Sequence, residues 1–354
     1  MKLLFLLSGE HIPLAMQEVI NLLKIKKLMR HGAVLIGEVL NKNIPLVSRL
    51  GFSRMVLSLL FSCSLSSIKP QMEKIQWGEY AKGSFCLRIH ALFASNRNDK
   101  EVHSFPDWLS EKKLAGVIWR SLKHPKVDLE HPQTKVVILH DGKKAWCGIE
   151  IPAGQGRFDE RRDPHRPEPS PTTLHPKLAR CMVNLTGIQA GKIVDPFCGA
   201  GGLLIEAGLM GLRPEGIDLY GVMVRKAKKN LDHYGIKDYQ LHVGDALSLK
   251  GPVDYAVSDV PYGLNTSLWT EKDGEPVRIS LPKSKQAKRS KDIKKFYLLF
   301  LKALRKSLRK RAVVAFPGHA HAEKLLRNVG FSIENKFSQR IHRSLTRDIF
   351  IFRP

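Results

Sequence analysis

Residues 192–202 read Lys-Ile-Val-Asp-Pro-Phe-Cys-Gly-Ala-Gly-Gly, and residues 257–263 read Val-Ser-Asp-Val-Pro-Tyr-Gly. Each is an apolar run that ends at a carboxylate and then turns. A strand running into a glycine turn and a helix belongs to an open α/β sheet, whose ligands bind beyond the carboxyl ends of its strands. The surrounding chain agrees with that architecture. Strands are expected at 192–196, 215–218, 239–244, 253–258 and 311–316, with helices at 175–186, 201–210, 220–234, 292–310 and 319–329. Alternation at these lengths predicts a doubly wound, mostly parallel sheet. Ile293, Phe296, Tyr297, Phe300, Leu301, Leu304 and Leu308 recur at helical spacing and mark one apolar face. Phe331–Gln339 and Asp348–Phe352 read as two final strands joined by a polar turn.

The first part of the chain is patterned differently. Leu3–Leu7 and Ala33–Leu40 read as strands, Leu14–Leu23 and Phe52–Phe61 as helices. Further strands are expected at Phe85–His90, Lys135–His140 and Lys144–Ile149, the last two joined by an Asp141-Gly142 hairpin turn. This predicts α+β units. Between the two parts, five prolines fall within residues 152–171 and exclude a continuous helix or central strand. That stretch is either a stiff linker or a loop along a binding site. The expected division is 1–151, a linker at 152–174, and 175–354.

A chain of 354 residues, 43% hydrophobic and 26% charged, is long enough for two or three packed domains. The apolar start Leu3–Leu7 is too short for the roughly 7–15-residue core of a signal peptide. Met55–Ile68 is too short and too serine-rich to span a membrane. A cytoplasmic location without membrane association is expected. The five cysteines form no Cys-x-x-Cys pair, so neither a zinc site nor a disulfide framework is indicated. The net charge of +25 points to a polyanionic partner, because neutralised phosphates release counterions. Residues 264–291 form a polar, lysine-rich insertion after the Asp-Val-Pro-Tyr turn. From Lys283 to Arg311 there are thirteen basic residues and one acid, Asp292. A basic loop there can contact phosphates, or be a solvated insertion.

Gly199, Gly201 and Gly202 let backbone N–H groups and a helix N-terminus approach a ligand. Leu204 stands where a dinucleotide fingerprint has its third glycine, which weakens a pyrophosphate reading. Three strand-end acids narrow the ligand further. Asp195 can accept from an ammonium, Asp218 from two ribose hydroxyls, and Asp245, before Ala246, from an adenine amino group. Together they describe S-adenosylmethionine.

Asp259-Val260-Pro261-Tyr262 ends the fourth strand at the same mouth. A ring amino group is a poor nucleophile because its lone pair is delocalised. Asp259 can accept one N–H and the Val260 carbonyl the other, which aligns the lone pair on an electrophilic methyl. The fixed φ of Pro261 holds the turn, and Tyr262 offers a face for stacking. An ordinary aspartate, with a pKa of about 4, does not deprotonate the neutral amine first. It orients the amine and then takes the proton.

The two segments resemble class I amino methyltransferases, whose fourth motif is Asp/Asn-Pro-Pro-Tyr; Val260 is the departure. His165-Arg166-Pro167 and Leu174-His175-Pro176-Lys177-Leu178-Ala179-Arg180 resemble the segment before the first motif in archaeal tRNA guanine-N2 methyltransferases, which act on guanosine 10. Leu7-Ser8-Gly9-Glu10, Arg49-Leu50-Gly51-Phe52 and Lys126-Val127-Asp128-Leu129-Glu130-His131-Pro132 resemble that family's ferredoxin-like and THUMP regions. The resemblance implies an RNA-binding region at 1–151 and a Rossmann-like methyltransferase domain ending in an antiparallel hairpin. It implies a cofactor set of His175, Asp195, Pro196, Phe197, Gly199, Gly201, Asp218, Asp245 and Ala246. The expected partner is tRNA, with a small accessory protein or none. Arg54, Lys82, Arg88, Arg120, Lys123 and Arg166 are the candidate phosphate contacts. The rival readings are methylation of guanine N2 in ribosomal RNA or adenine N6 in DNA, and an RNA-binding protein without catalysis.

Overall fold

In the computed structural model the described residues are all but 93–107, 154–156, 171–172, 263–267, 273–274, 280–285 and 343–344. The chain begins β1 (Lys2–Leu7), α1 (Ile12–Leu23), β2 (Lys26–His31), β3 (Val34–Glu38) and β4 (Ser53–Ser64). It continues α2 (Ile68–Glu73), α3 (Trp77–Tyr80), β5 (Ser84–Ala91), α4 (Glu111–Ser121), β6 (Lys126–Val127), β7 (Thr134–His140) and β8 (Lys144–Ile151). Then come α5 (Pro176–Leu185), β9 (Lys192–Asp195), α6 (Gly202–Leu209), β10 (Arg213–Asp218), α7 (Gly221–His233), β11 (Gln240–Val243) and β12 (Val253–Asp259). The chain ends with β13 (Leu268–Lys272), β14 (Glu275–Ile279), α8 (Gln286–Ser307), β15 (Leu308–Pro317), α9 (Ala322–Asn328), β16 (Ser332–His342) and β17 (Leu345–Arg353).

Two units form. The first comprises Met1–Gly9, Ile25–Val47 and Ser53–Ala153; the second comprises Glu10–Lys24, Ser48–Phe52 and Gly154–Pro354. The first unit holds one mixed sheet of order β2-β3-β1-β4-β8-β7-β5-β6. Only the β5·β7 and β5·β6 pairs are parallel, in keeping with an α+β unit. Residues 52–61, expected as a helix, lie mainly in β4. That strand pairs with β1 on one side and β8 on the other. Its leucines and serines carry no strong local preference, so pairing on both edges decides the conformation.

The second unit carries the expected alternation. Its main sheet has the order β11-β10-β9-β12-β15-β17-β16. The first five strands are parallel, and the β16–β17 hairpin is antiparallel at the edge. Tyr297, Phe300, Leu301 and Leu304 of α8 are buried with Val314, Phe316 and Phe350 of the sheet. The side chains of the insertion 264–291, with its expected phosphate contacts, lie outside the described residues; its described backbone includes the β13–β14 hairpin. No helix among the described residues is long and apolar enough to cross a membrane.

Helix α1 and Ser48–Phe52 belong to the second unit, and a buried polar knot explains why. The Glu18 carboxylate accepts from Gly51 N at 2.8 Å, Phe52 N at 2.9 Å and Asn184 Nδ2 at 2.8 Å. Arg49 donates to the Ile188 and Gln189 carbonyls. The proline-rich stretch packs against the helices of the second unit. Arg161 pairs with the fully buried Glu206 of α6 at 2.7 Å, and Lys229 of α7 pairs with Glu168 at 2.6 Å.

Candidate active site

The strand order reverses at β9, with β10 on one side and β12 on the other. Such a switch point opens a crevice beyond the strand ends. Asp195 ends β9 and Asp259 ends β12.

Asp195 is 1% exposed. Its Oδ1 accepts from the Ser258 hydroxyl at 2.6 Å and from Phe197 N at 3.1 Å. Burial nevertheless pushes its carboxyl up to about 7, with the charges of Asp218 and Asp259 acting in the same direction. Pro196 is buried beneath the turn, and Phe197 packs edge-on against Phe300 at 4.8 Å between ring centroids. Gly199 (φ +52°) and Gly201 (φ +86°) hold the turn in the left-handed region, where a side chain would be strained. Gly199 N donates to Asp218 Oδ2 at 2.9 Å, and Tyr220 N donates to Oδ1 at 3.0 Å. The second acid is thereby fixed to the first turn. Burial holds its carboxyl above the usual range.

Asp245 is exposed and accepts from Leu247 N at 2.9 Å, while Ala246 is buried. His175 caps α5, its Nδ1 accepting from Lys177 N at 3.2 Å. A cavity of about 90 Å³ brings together Asp195, Phe197, Gly199 and Asp259 with Ser170 and Thr173 of the proline-rich stretch. His175, Asp218, Asp245 and Tyr262 do not line it. The residues fit S-adenosylmethionine. A buried carboxylate offers Oδ2, which has no partner among the described residues, and two further acids follow on successive strand ends. The enclosed volume is far below the roughly 300–1,000 Å³ of a drug-sized pocket, so only one end of such a ligand enters it.

The catalytic candidates form one pinned turn. Val260 N donates to the Ala315 carbonyl at 3.1 Å, and the Val260 side chain is buried in the core. The Tyr297 hydroxyl donates to the Pro261 carbonyl at 2.7 Å. Tyr262, expected as a stacking surface, also binds the acid of the turn, its hydroxyl donating to Asp259 Oδ1 at 2.7 Å. Arg347 of β17, which sequence reasoning missed, completes the group. Its Nε donates to the Tyr262 oxygen at 2.6 Å and its Nη2 to Asp259 Oδ2 at 3.3 Å. Burial raises the Asp259 carboxyl above the usual range, and Arg347 opposes that rise.

Arg54, Lys82, Arg120 and Lys123 of the first unit are exposed. Arg88 is committed to Glu111 at 3.0 Å and to the Leu129 carbonyl at 2.9 Å. Arg166, expected as a phosphate contact, is instead 4% exposed. Its Nε donates to the Arg161 carbonyl at 2.9 Å, because the proline-rich stretch folds back on itself.

Residues 164–274 match the family model described as RMKL-like, methyltransferase domain. A tRNA (guanine(10)-N2)-dimethyltransferase of Pyrococcus abyssi is 34% identical over 329 residues, 91% of this chain and 89% of that protein. The protein of the same name from Methanothermobacter thermautotrophicus is 34% identical over 311 residues, 86% of this chain and 83% of that one. Among solved structures, TrmN from Thermus thermophilus aligns over 100% of this chain and 99% of its own at 15% identity, with a TM-score of 0.49.

Proposed function

Since this chain belongs to the tRNA (guanine(10)-N2)-dimethyltransferase family, we propose that its site moves methyl groups from S-adenosylmethionine to N2 of guanine 10 in tRNA. The observation that carries this reading is the turn at Asp259–Tyr262, which offers acceptors to a planar amine directly beside Asp195 and the glycine turn. We take the number of methyl groups as two, after the names of the full-length relatives.

The bound cofactor supplies an electrophilic methyl on a sulfonium. Asp195 would hold the cofactor's ammonium, and Asp218 and Asp245 would receive the ribose hydroxyls and the adenine amino group. Guanine leaves its stack to reach the crevice, at a cost of a few kcal/mol. Asp259 accepts one N2–H. Because Tyr297 occupies the Pro261 carbonyl, the Val260 carbonyl is the acceptor offered to the other N–H. Acceptors for both N–H groups fix the amine so that its lone pair faces the incoming methyl, and the nitrogen loses conjugation only as the new bond forms. The nitrogen then becomes strongly acidic, and Asp259 takes its proton. Val260 replaces the usual proline at no cost to this scheme, since its carbonyl does the work and its side chain fills the core.

RNA binding through the ferredoxin-like and THUMP-like segments and through the exposed Arg54, Lys82, Arg120 and Lys123 of the first unit belongs to the same proposal. So do the cytoplasmic location and the absence of a membrane partner. The test is transfer of labelled methyl to unmodified tRNA transcript, ribosomal RNA fragments and DNA, followed by digestion to nucleosides. Label in N2-methylated guanosine of tRNA is expected. Label confined to DNA adenine, or none despite tight tRNA binding, would overturn the reading.

A further inference from the structure

The outer face of α8 carries charge that no described residue answers. Lys294, Lys295, Lys302, Arg305 and Lys306 are all exposed. At 3.6 residues per turn they fall within an arc of about 120°. Tyr297, Phe300, Leu301 and Leu304 occupy the opposite arc and are fully buried. From Ile293 to Ser307 the helix contains no acid. None of Lys294, Lys295, Lys302 and Lys306 makes an ion pair or hydrogen bond with a described residue. Some exposed lysines of the same unit are paired, Lys228 with Asp232 at 2.8 Å, Lys229 with Glu168 at 2.6 Å and Lys310 with Asp254 at 2.7 Å, whereas Lys237, Lys250 and Lys324 have no ion pair among the described residues but stand singly and not in a row. Arg305 lies over the Phe331 ring at 5.9 Å, which fixes its guanidinium at the surface.

Like charges three and four residues apart repel, so Lys302, Arg305 and Lys306 destabilise the free helix. A partner that neutralises them recovers this loss. The position of the helix says which partner. Tyr297 on the inner face binds the catalytic turn at the Pro261 carbonyl. Lys294, one turn earlier, acts electrostatically on His319, just beyond the carboxyl end of β15. The basic face therefore starts at the catalytic mouth and runs away from it. A membrane-surface helix would expose its apolar side. Here that side is the core, and of the large apolar residues on the helix Leu299 alone is strongly exposed, at 43%.

We propose that the outer face of α8 is a phosphate-binding rail of the catalytic unit, which holds the RNA backbone flanking the target nucleotide. The proposal rests on the reading of the site as an RNA methyltransferase. It adds a contact surface outside the first unit, independent of the lysine-rich insertion before α8.

The test compares full-length protein with the variant Lys294→Gln/Lys302→Gln/Lys306→Gln. Binding of unmodified tRNA transcript is measured across salt concentrations. The variant is expected to lose about tenfold or more in affinity near 0.1 M salt, with the log–log salt slope shallower by about 2 to 3. The loss should fall on KM for tRNA, leaving kcat, melting temperature and affinity for S-adenosylmethionine as they were. Equal affinity and equal slope in the two proteins would overturn the rail. So would loss of binding to phosphatidylserine vesicles with tRNA affinity untouched. If the wild-type protein binds tRNA through this face yet methylates no guanine in it, the rail stands and the catalytic reading falls.

Discussion

The Arg347 guanidinium meets the Asp259 carboxylate at 3.3 Å although 88 residues separate them. It also donates to the Tyr262 hydroxyl, which in turn donates to Asp259. Both carboxylate oxygens are thus engaged before any substrate arrives. Burial favours the protonated acid, and Arg347 favours the carboxylate that the reaction needs. Arg347→Met should therefore move the acid limb of the kcat profile to higher pH. Turnover would be low at neutral pH and recover as pH rises. A uniform loss at every pH would mean that Arg347 is only a packing residue.

Asp195 binds a proton in the folded protein up to about pH 7, whereas an unfolded aspartate releases it near the ordinary value of 3.8. Between those values the folded state holds more protons than the unfolded one, so stability falls as pH rises through that window. Asp195→Asn, with no charge to bury, should be more stable than the wild type at pH 8, by a few kcal/mol. The same change should weaken S-adenosylmethionine binding by about 1.5–3 kcal/mol, the range for a hydrogen bond to a charged group. Thermal melts and calorimetric titration check the two signs. A variant that is both less stable and equally tight in binding would contradict the assignment.

Tyr297→Phe removes the donor to the Pro261 carbonyl and little else. A lost hydrogen bond of about 1 kcal/mol corresponds to a few-fold fall in kcat, with cofactor affinity unchanged. Unaltered kcat in steady-state assays would show that the turn is held by its core contacts alone.

Glu206 is fully buried between Arg161, at 2.7 Å, and Arg180, at 2.8 Å. Glu206→Gln leaves two cations inside without a counter-charge. Breaking a buried pair in this way costs about 3–5 kcal/mol, readable as a lower urea midpoint. A midpoint within error of the wild type would show that the proline-rich stretch is not anchored there.

Periodicity reaches the second unit because its helices and strands are each amphipathic or apolar at one clear spacing. The glycine turn and the Asp259 turn are legible for a local reason: both are short peptides whose chemistry is complete in sequence. Arg347 is not, since it reaches Asp259 through the β15–β17 pairing and sits in an ordinary polar stretch of an edge hairpin. Glu18 carries no local signal in the sequence, yet it is the knot that ties α1 to α5. Strand β4 reads as a helix because its conformation comes from neighbours on both edges, which local sequence does not record. Arg166 reads as a surface cation, and only the fold of the proline-rich stretch buries it.

The central claim is that Asp259 and the Val260 carbonyl present the exocyclic N2 of guanine 10 to the methyl donor. Inosine lacks that amino group and keeps the rest of the base. The most direct measurement is methyl incorporation into two otherwise identical tRNAs, one with guanosine and one with inosine at position 10. Label in the first and none in the second is the expected result. Equal label in both would contradict the account.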